Sequence, residues 1–186
     1  MANIIATSAA ELLKAMHKED EKTLKELDRS INKHSLNAAG LGLIPIPIAD
    51  VAALTVNVWH MYLKINKILG ISFKDNKVKS IASAAIANLA GNLVGSGLLS
   101  LLKFVPGGSL AVGVVISASS FAACKSSAWI YLKFLTTIAD RNNGKLELNN
   151  LDDGEIKTLM RANKKEQAKI AKEIREEYAK EHRNDK

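Results

Sequence analysis

The chain has 186 residues, 47% hydrophobic, 24% charged and 5% aromatic, with a formal net charge of +7, which is about one domain's worth of length. Its single cysteine, Cys124, excludes a disulfide scaffold, and three prolines with eleven glycines exclude a collagen-like or proline-rich chain. The charge is unevenly spread. Residues 1–35 carry six basic and six acidic side chains, residues 36–140 eight and three, and residues 141–186 twelve and ten. A greasy centre therefore lies between two solvated arms, which excludes disorder for the centre.

A pI near 9.4 raises the question of nucleic acid. Nucleic-acid surfaces gather Lys and Arg on one face, often beside exposed aromatics. Here the C-terminal arm interleaves its charges, with Lys172/Glu176 and Glu176/Lys180 four residues apart, as on a solvated helix face. No nucleic-acid partner is expected. Met1-Ala2-Asn3-Ile4-Ile5 shows no basic stretch ahead of an apolar run, and no lipidation motif is present, so the arms are expected on the cytoplasmic side.

The first element is an amphipathic helix. Ser8 and Glu11 have capping-box spacing, and Leu12, Leu13, Met16, Leu24, Leu27 and Ile31 recur at helical intervals. One helix is predicted from about 8 to 34, with the charged gap Lys18–Lys22 as the place for a kink. Asn37–Gly42 then loosens the chain before Pro45 and Pro47. Proline suits a helix's first turn, so a second helix is predicted from Pro47 to about Leu69, closed by Gly70. Asp50 falls in its first turn, where a carboxylate meets the positive end of the helix dipole.

The twenty-three residues Ser80–Leu102 carry no charge; Lys103 intervenes, and Phe104–Cys124 adds twenty-one more. A bilayer's hydrocarbon core, about 30 Å thick, takes roughly twenty such residues in a helix. Pro106, Gly107 and Gly108 between the runs signal a turn, with Ser109 as the next N-cap. The pattern predicts a long antiparallel helical hairpin whose second arm continues to about Ala139. Ser83, Ala87, Gly91 and Gly95 form a small-residue stripe at four-residue spacing, flanked by Ala84, Asn88 and Asn92. Such stripes let helix backbones approach closely in lipid, and the asparagines would bond across helices. Lys74, Lys77, Lys79 and Lys125 collect at one base of the hairpin, beside Trp59 and Trp129, as at a membrane interface. By the positive-inside rule that base faces the cytoplasm. After Asp152-Asp153-Gly154 a narrow apolar stripe (Ile156, Leu159, Met160, Ile170, Ile174, Tyr178) predicts one charged helix of about 28 residues.

Catalytic and metal motifs are missing. Gly95-Ser96-Gly97 does not make a phosphate-binding loop, and His17, His34, His60 and His182 are scattered without H-E-x-x-H or C-x-x-C spacing. Cys124 reads as a small buried hydrophobe. No cofactor, metal or catalytic residue is expected.

The run from Ala38 to Asp50, with its Pro45-Ile46-Pro47-Ile48-Ala49-Asp50 opening, resembles the bacterial YcjF-like, GTPase-associated membrane domain of unknown function. Met61, Ile68-Leu69-Gly70-Ile71, the alanine-rich arm and Leu102–Gly108 resemble its later blocks, so the similarity covers about residues 36–139. The family implies a membrane-associated helical module, often joined to or encoded near a small GTPase.

The expected fold is all-α: an amphipathic N-terminal helix (1–35), an apolar core (36–140) holding a Pro-initiated helix and the hairpin 76–139, and a loop with a charged helix (141–186). The expected function is non-enzymatic, a self-associating membrane scaffold or small-GTPase partner at a bacterial inner membrane. Two alternatives stand beside it. One is a pore former that inserts the 80–124 hairpin; the other is a soluble, cytoplasmic homo-oligomer that buries the hairpin between subunits.

Overall fold

The computed structural model describes residues 4–41, 47–71, 81, 84–85, 110–148 and 150–182. Among these the architecture is all-helical, without a strand: α1 (Ile4–Ala15), α2 (Glu21–Leu41), α3 (Pro47–Leu69), α4 (Leu110–Arg141), α5 (Asp153–Ala162) and α6 (Lys164–Glu181).

The single helix expected over 8–34 is two helices. Ser8 is buried inside α1 rather than capping it. The break is built from local hydrogen bonds. His17 adopts a left-handed φ of 54°, its N–H bonds Lys14 O at 3.0 Å, and Lys18 N–H bonds Leu13 O at 2.9 Å. These are the two closing bonds of a Schellman cap, made here without glycine. Asp20 then opens α2, accepting from Thr23 N–H at 2.9 Å and Lys22 N–H at 3.2 Å, with a further bond from the Thr23 hydroxyl. The Thr23 hydroxyl and these amides hold the Asp20 carboxyl below its usual range. α2 also runs past the expected end at 34, because Ala38 and Ala39 are buried and keep its last turns packed.

α3 has the predicted limits. It starts at Pro47 and ends at Gly70, whose φ is +69°. Ile71 N–H bonds Asn66 O at 2.9 Å and Gly70 N–H bonds Lys67 O at 3.3 Å, a second Schellman cap with glycine in its usual place.

α4, 32 residues long, is the hub, and α1, α2, α3, α5 and α6 all pack on it. From Ser117 to Ala139 most of its side chains are buried, including Trp129, Ile130, Tyr131, Leu132, Phe134, Leu135 and Ile138. A helix enclosed this way is apolar all round, which explains why its pattern shows no single buried stripe. Trp129 is therefore a core residue, 1% exposed, and not the interfacial aromatic expected from sequence. The latter part of the second apolar run, from Ser117, belongs to the bundle. No helix among the described residues is long and apolar enough to cross a membrane.

The tail helix divides at Asn163. Asp152 caps α5 through Glu155 N–H at 2.7 Å, and α6 docks along α4 with Gln167, Ile170 and Ile174 buried. Gln167, which interrupts the apolar stripe, reaches Ser126 O at 3.5 Å.

Candidate functional site

Hydrogen bonds give the helix directions. Lys133 pairs with Glu11 at 2.5 Å, and a Cβ built on Gly144 would lie 2.7 Å from His17 Cδ2, so α1 runs parallel to α4. Tyr62 OH donates to Ser127 O at 2.9 Å and Tyr131 OH to Asn66 Oδ1 at 2.6 Å, so α3 also runs parallel to α4. α2 runs antiparallel to α3, as the His34–Asn57 and Lys64–Glu26 contacts require.

The polar groups that meet inside are few. Asn57 joins three helices: its Nδ2 donates to His34 O at 2.9 Å and to Cys124 Sγ at 3.5 Å, and its Oδ1 accepts from His34 Nδ1 at 3.0 Å. Because that amide oxygen must accept, His34 carries its proton on Nδ1. Cys124 in turn donates to Met61 Sδ at 3.8 Å. A Cys, a His and an Asn together resemble a nucleophile site, but here the asparagine sits between the other two and the imidazole does not reach the sulfur. Burial pushes the Cys124 thiol up to about 12. A thiol held that high is a poor nucleophile, so the cluster is a structural junction.

Burial also raises the Tyr62 and Tyr131 phenols, which stack at 4.1 Å. All three shifts are upward, so the stability these groups lend is complete below their unfolded values and is lost as pH rises beyond them. We expect unfolding free energy to decline from about pH 9 upward, the range in which an exposed thiol and then phenols ionise. Cys124 should resist a thiol reagent at pH 8 until denaturant opens the bundle, whereas immediate stoichiometric labelling would contradict the buried junction.

Along α2, α3 and α4 the junction also marks a boundary in charge. On one side of it lie Glu21–Lys33 of α2, Lys64 and Lys67 of α3, and Lys125, Lys133, Asp140 and Arg141 of α4. On the other side lie 35–41 of α2, 47–56 of α3 and 110–123 of α4, in which Asp50 is the one charged residue. The exposed large hydrophobics among the described residues, Leu36 (57%), Val56 (47%) and Val115 (44%), all belong to these uncharged stretches. Trp59 and His60, stacked at 5.9 Å, lie two and three residues past Asn57, so Trp59 stands near the boundary. Lys125 is half-buried just past Cys124, with its ammonium 5.2 Å from the Phe121 ring centre; Phe121 meets Tyr178 of α6 at 4.5 Å, and Tyr178 stacks on His182 at 4.0 Å.

Of the residues singled out in sequence, Pro47 and Asp50 stand in the first turn of α3. Ser83, Ala87, Asn88, Gly91, Asn92 and Gly95, the turn residues Pro45, Pro106, Gly107 and Gly108, and Lys74, Lys77 and Lys79 lie outside the described residues. Sequence reasoning missed Asn57 and His34. Each is one polar residue on a mixed helix, and no spacing rule links positions 34, 57 and 124. Among the described residues no group of three or more His, Cys, Asp or Glu side chains is placed to hold a metal.

No family model matches the chain, and no solved structure matches it. Magnetosome membrane protein 22 of Magnetospirillum gryphiswaldense is similar to it, 29% identical over 105 residues, covering 51% of this chain and 52% of that protein. The chain thus spans about half the length of the curated relative it matches.

Proposed function

We propose that this chain is a non-enzymatic, membrane-associated helical module, held at a bilayer by the charge-free sequence on either side of Lys103. The observation that carries the reading is the length of that sequence, twenty-three and twenty-one residues, in a chain whose relative is named a membrane protein. The absence of catalytic motifs from the sequence and the inaccessibility of Cys124 support a non-enzymatic role. The basic flanks Lys74, Lys77, Lys79 and Lys125 support a cytoplasmic side of a bacterial inner membrane for the bundle. In this reading the module self-associates as a scaffold through Ser83, Ala87, Asn88, Gly91, Asn92 and Gly95, and the YcjF-like resemblance adds a small GTPase as a partner in trans.

The self-association is tested by adding bulk to the stripe. Gly91→Leu with Gly95→Leu should abolish most of the crosslinked oligomer in membranes, while Leu98→Ile should leave it unchanged. Equal crosslinking of both variants removes the stripe from the interface. One observation favours a second reading, the pore former: the bundle encloses Ser117–Cys124, the end of the second run, as a concealed inserting segment would require. Liposome dye release separates the two, since a scaffold leaves vesicles intact.

A further inference from the structure

We propose that the uncharged α2–α3 face of the bundle, beside the His34–Asn57–Cys124 junction, rests in one leaflet of a lipid bilayer. This rests on the membrane-associated reading and adds which surface meets lipid.

Three helices change character at one level. Asn57 bonds both His34 and Cys124, so α2, α3 and α4 are pinned together there, and all three are charged on one side and carry Asp50 alone on the other. Three sequences losing charge at one height leave an apolar surface on the α2–α3 side, where a charge in contact with acyl chains would cost several kcal/mol, whereas α6, whose Tyr178 meets Phe121, carries its charges past that height on the other side. Leu36, Val56 and Val115 leave the apolar side unsealed. The chain leaves the described residues after Ala85 and returns at Leu110, and the 24 residues between, 86–109, carry Lys103 as their one charge. The occupant that suits both this sequence and the exposed face is hydrocarbon.

Around the boundary stand Trp59 with His60, and Lys125 with Phe121, Tyr178 and His182, the aromatic and basic chemistry of the headgroup region. α6 bears Lys, Arg and Glu along its length and covers one flank of α4. The lipid-facing surface is therefore on the α2–α3 flank, with α6 toward water, as in a monotopic protein.

The test uses the full chain with Cys124→Ala and single cysteines at Leu36, Val56, Val115 or Lys157, each carrying an environment-sensitive fluorophore. It is mixed with phosphatidylcholine–phosphatidylglycerol vesicles. Probes at 36, 56 and 115 should shift to the blue and be quenched more by nitroxides high in the acyl chain than by those at its end, while the probe at 157 stays in water. Because Leu36 and Val56 are exposed, Leu36→Lys with Val56→Lys should fold normally by circular dichroism yet lower vesicle partitioning at least about tenfold, the burial of one large aliphatic side chain. Co-flotation with vesicles while all three probes stay in water overturns this surface and leaves the membrane-associated reading intact. Failure to float overturns that reading too. A concentration-dependent blue shift without vesicles replaces lipid by a second copy of the chain, and reduction of the Val115 probe by a reagent trapped inside the vesicles shows crossing.

Discussion

Replacing Trp129 with alanine should lower the unfolding free energy by about 3–5 kcal/mol, the range for truncating a fully buried large aromatic. The side chain is 1% exposed and sits on the helix that every other described helix touches, so the cavity opens at the centre of the bundle rather than at an edge that can collapse. Against a total stability of 5–15 kcal/mol typical of domains, that loss brings the variant close to unfolding. Urea denaturation followed by far-ultraviolet circular dichroism measures it. Trp129→Phe, which refills much of the volume, should recover most of the loss. A loss below about 1 kcal/mol, the scale of an ordinary surface change, would mean that α4 is not the hub.

The second large effect is expected at Gly144, just past the end of α4. Its φ is +84°, and its N–H closes α4 by bonding Ala139 O at 2.8 Å. A Cβ there would lie 2.7 Å from His17 Cδ2 and 3.3 Å from Ala15 O, so it meets the cap that ends α1. Gly144→Val combines the left-handed penalty of about 1–2 kcal/mol with displacement of His17. A double-mutant cycle separates the two. Gly144→Ala should cost less when His17 is already alanine, because the ring contact is gone, but the backbone penalty should persist. Full additivity would show that the α1 and α4 ends do not touch.

The extent to which the fold was legible follows from where its signals lie. The limits of α3 were readable because Pro47 and Gly70 act locally, one by lacking an N–H and the other by tolerating positive φ. The charged gap Lys18–Lys22 marked where α1 and α2 divide, but not that the helix stops there, since its left-handed residue is a histidine and its decisive cap, Asp20, is one acid in a charged run. Nor was the break at Asn163 visible, because Asn163 and Gln167 interrupt the apolar stripe without a glycine or proline to signal a helix end.

Trp129 was misassigned for a tertiary reason. Apolar residues flanked by lysines suit a bilayer interface and the middle of a bundle equally, and α4 is apolar all round because protein encloses it. The small residues of α4, Ser117, Ser119, Ser126 and Ser127 among them, are buried where helices pack around the hub. At the candidate site, the uncharged stretches were visible one at a time. Their alignment at a common height was not, because it depends on Asn57 bonding partners 23 residues before it and 67 after it.

Membrane fractionation of the full-length chain with a carbonate wash tests membrane attachment most directly. The account predicts that the protein sediments with membranes and stays there at alkaline pH, because hydrocarbon contact rather than surface charge holds it. Recovery as a discrete oligomer in the supernatant, before the wash and without detergent, would contradict it.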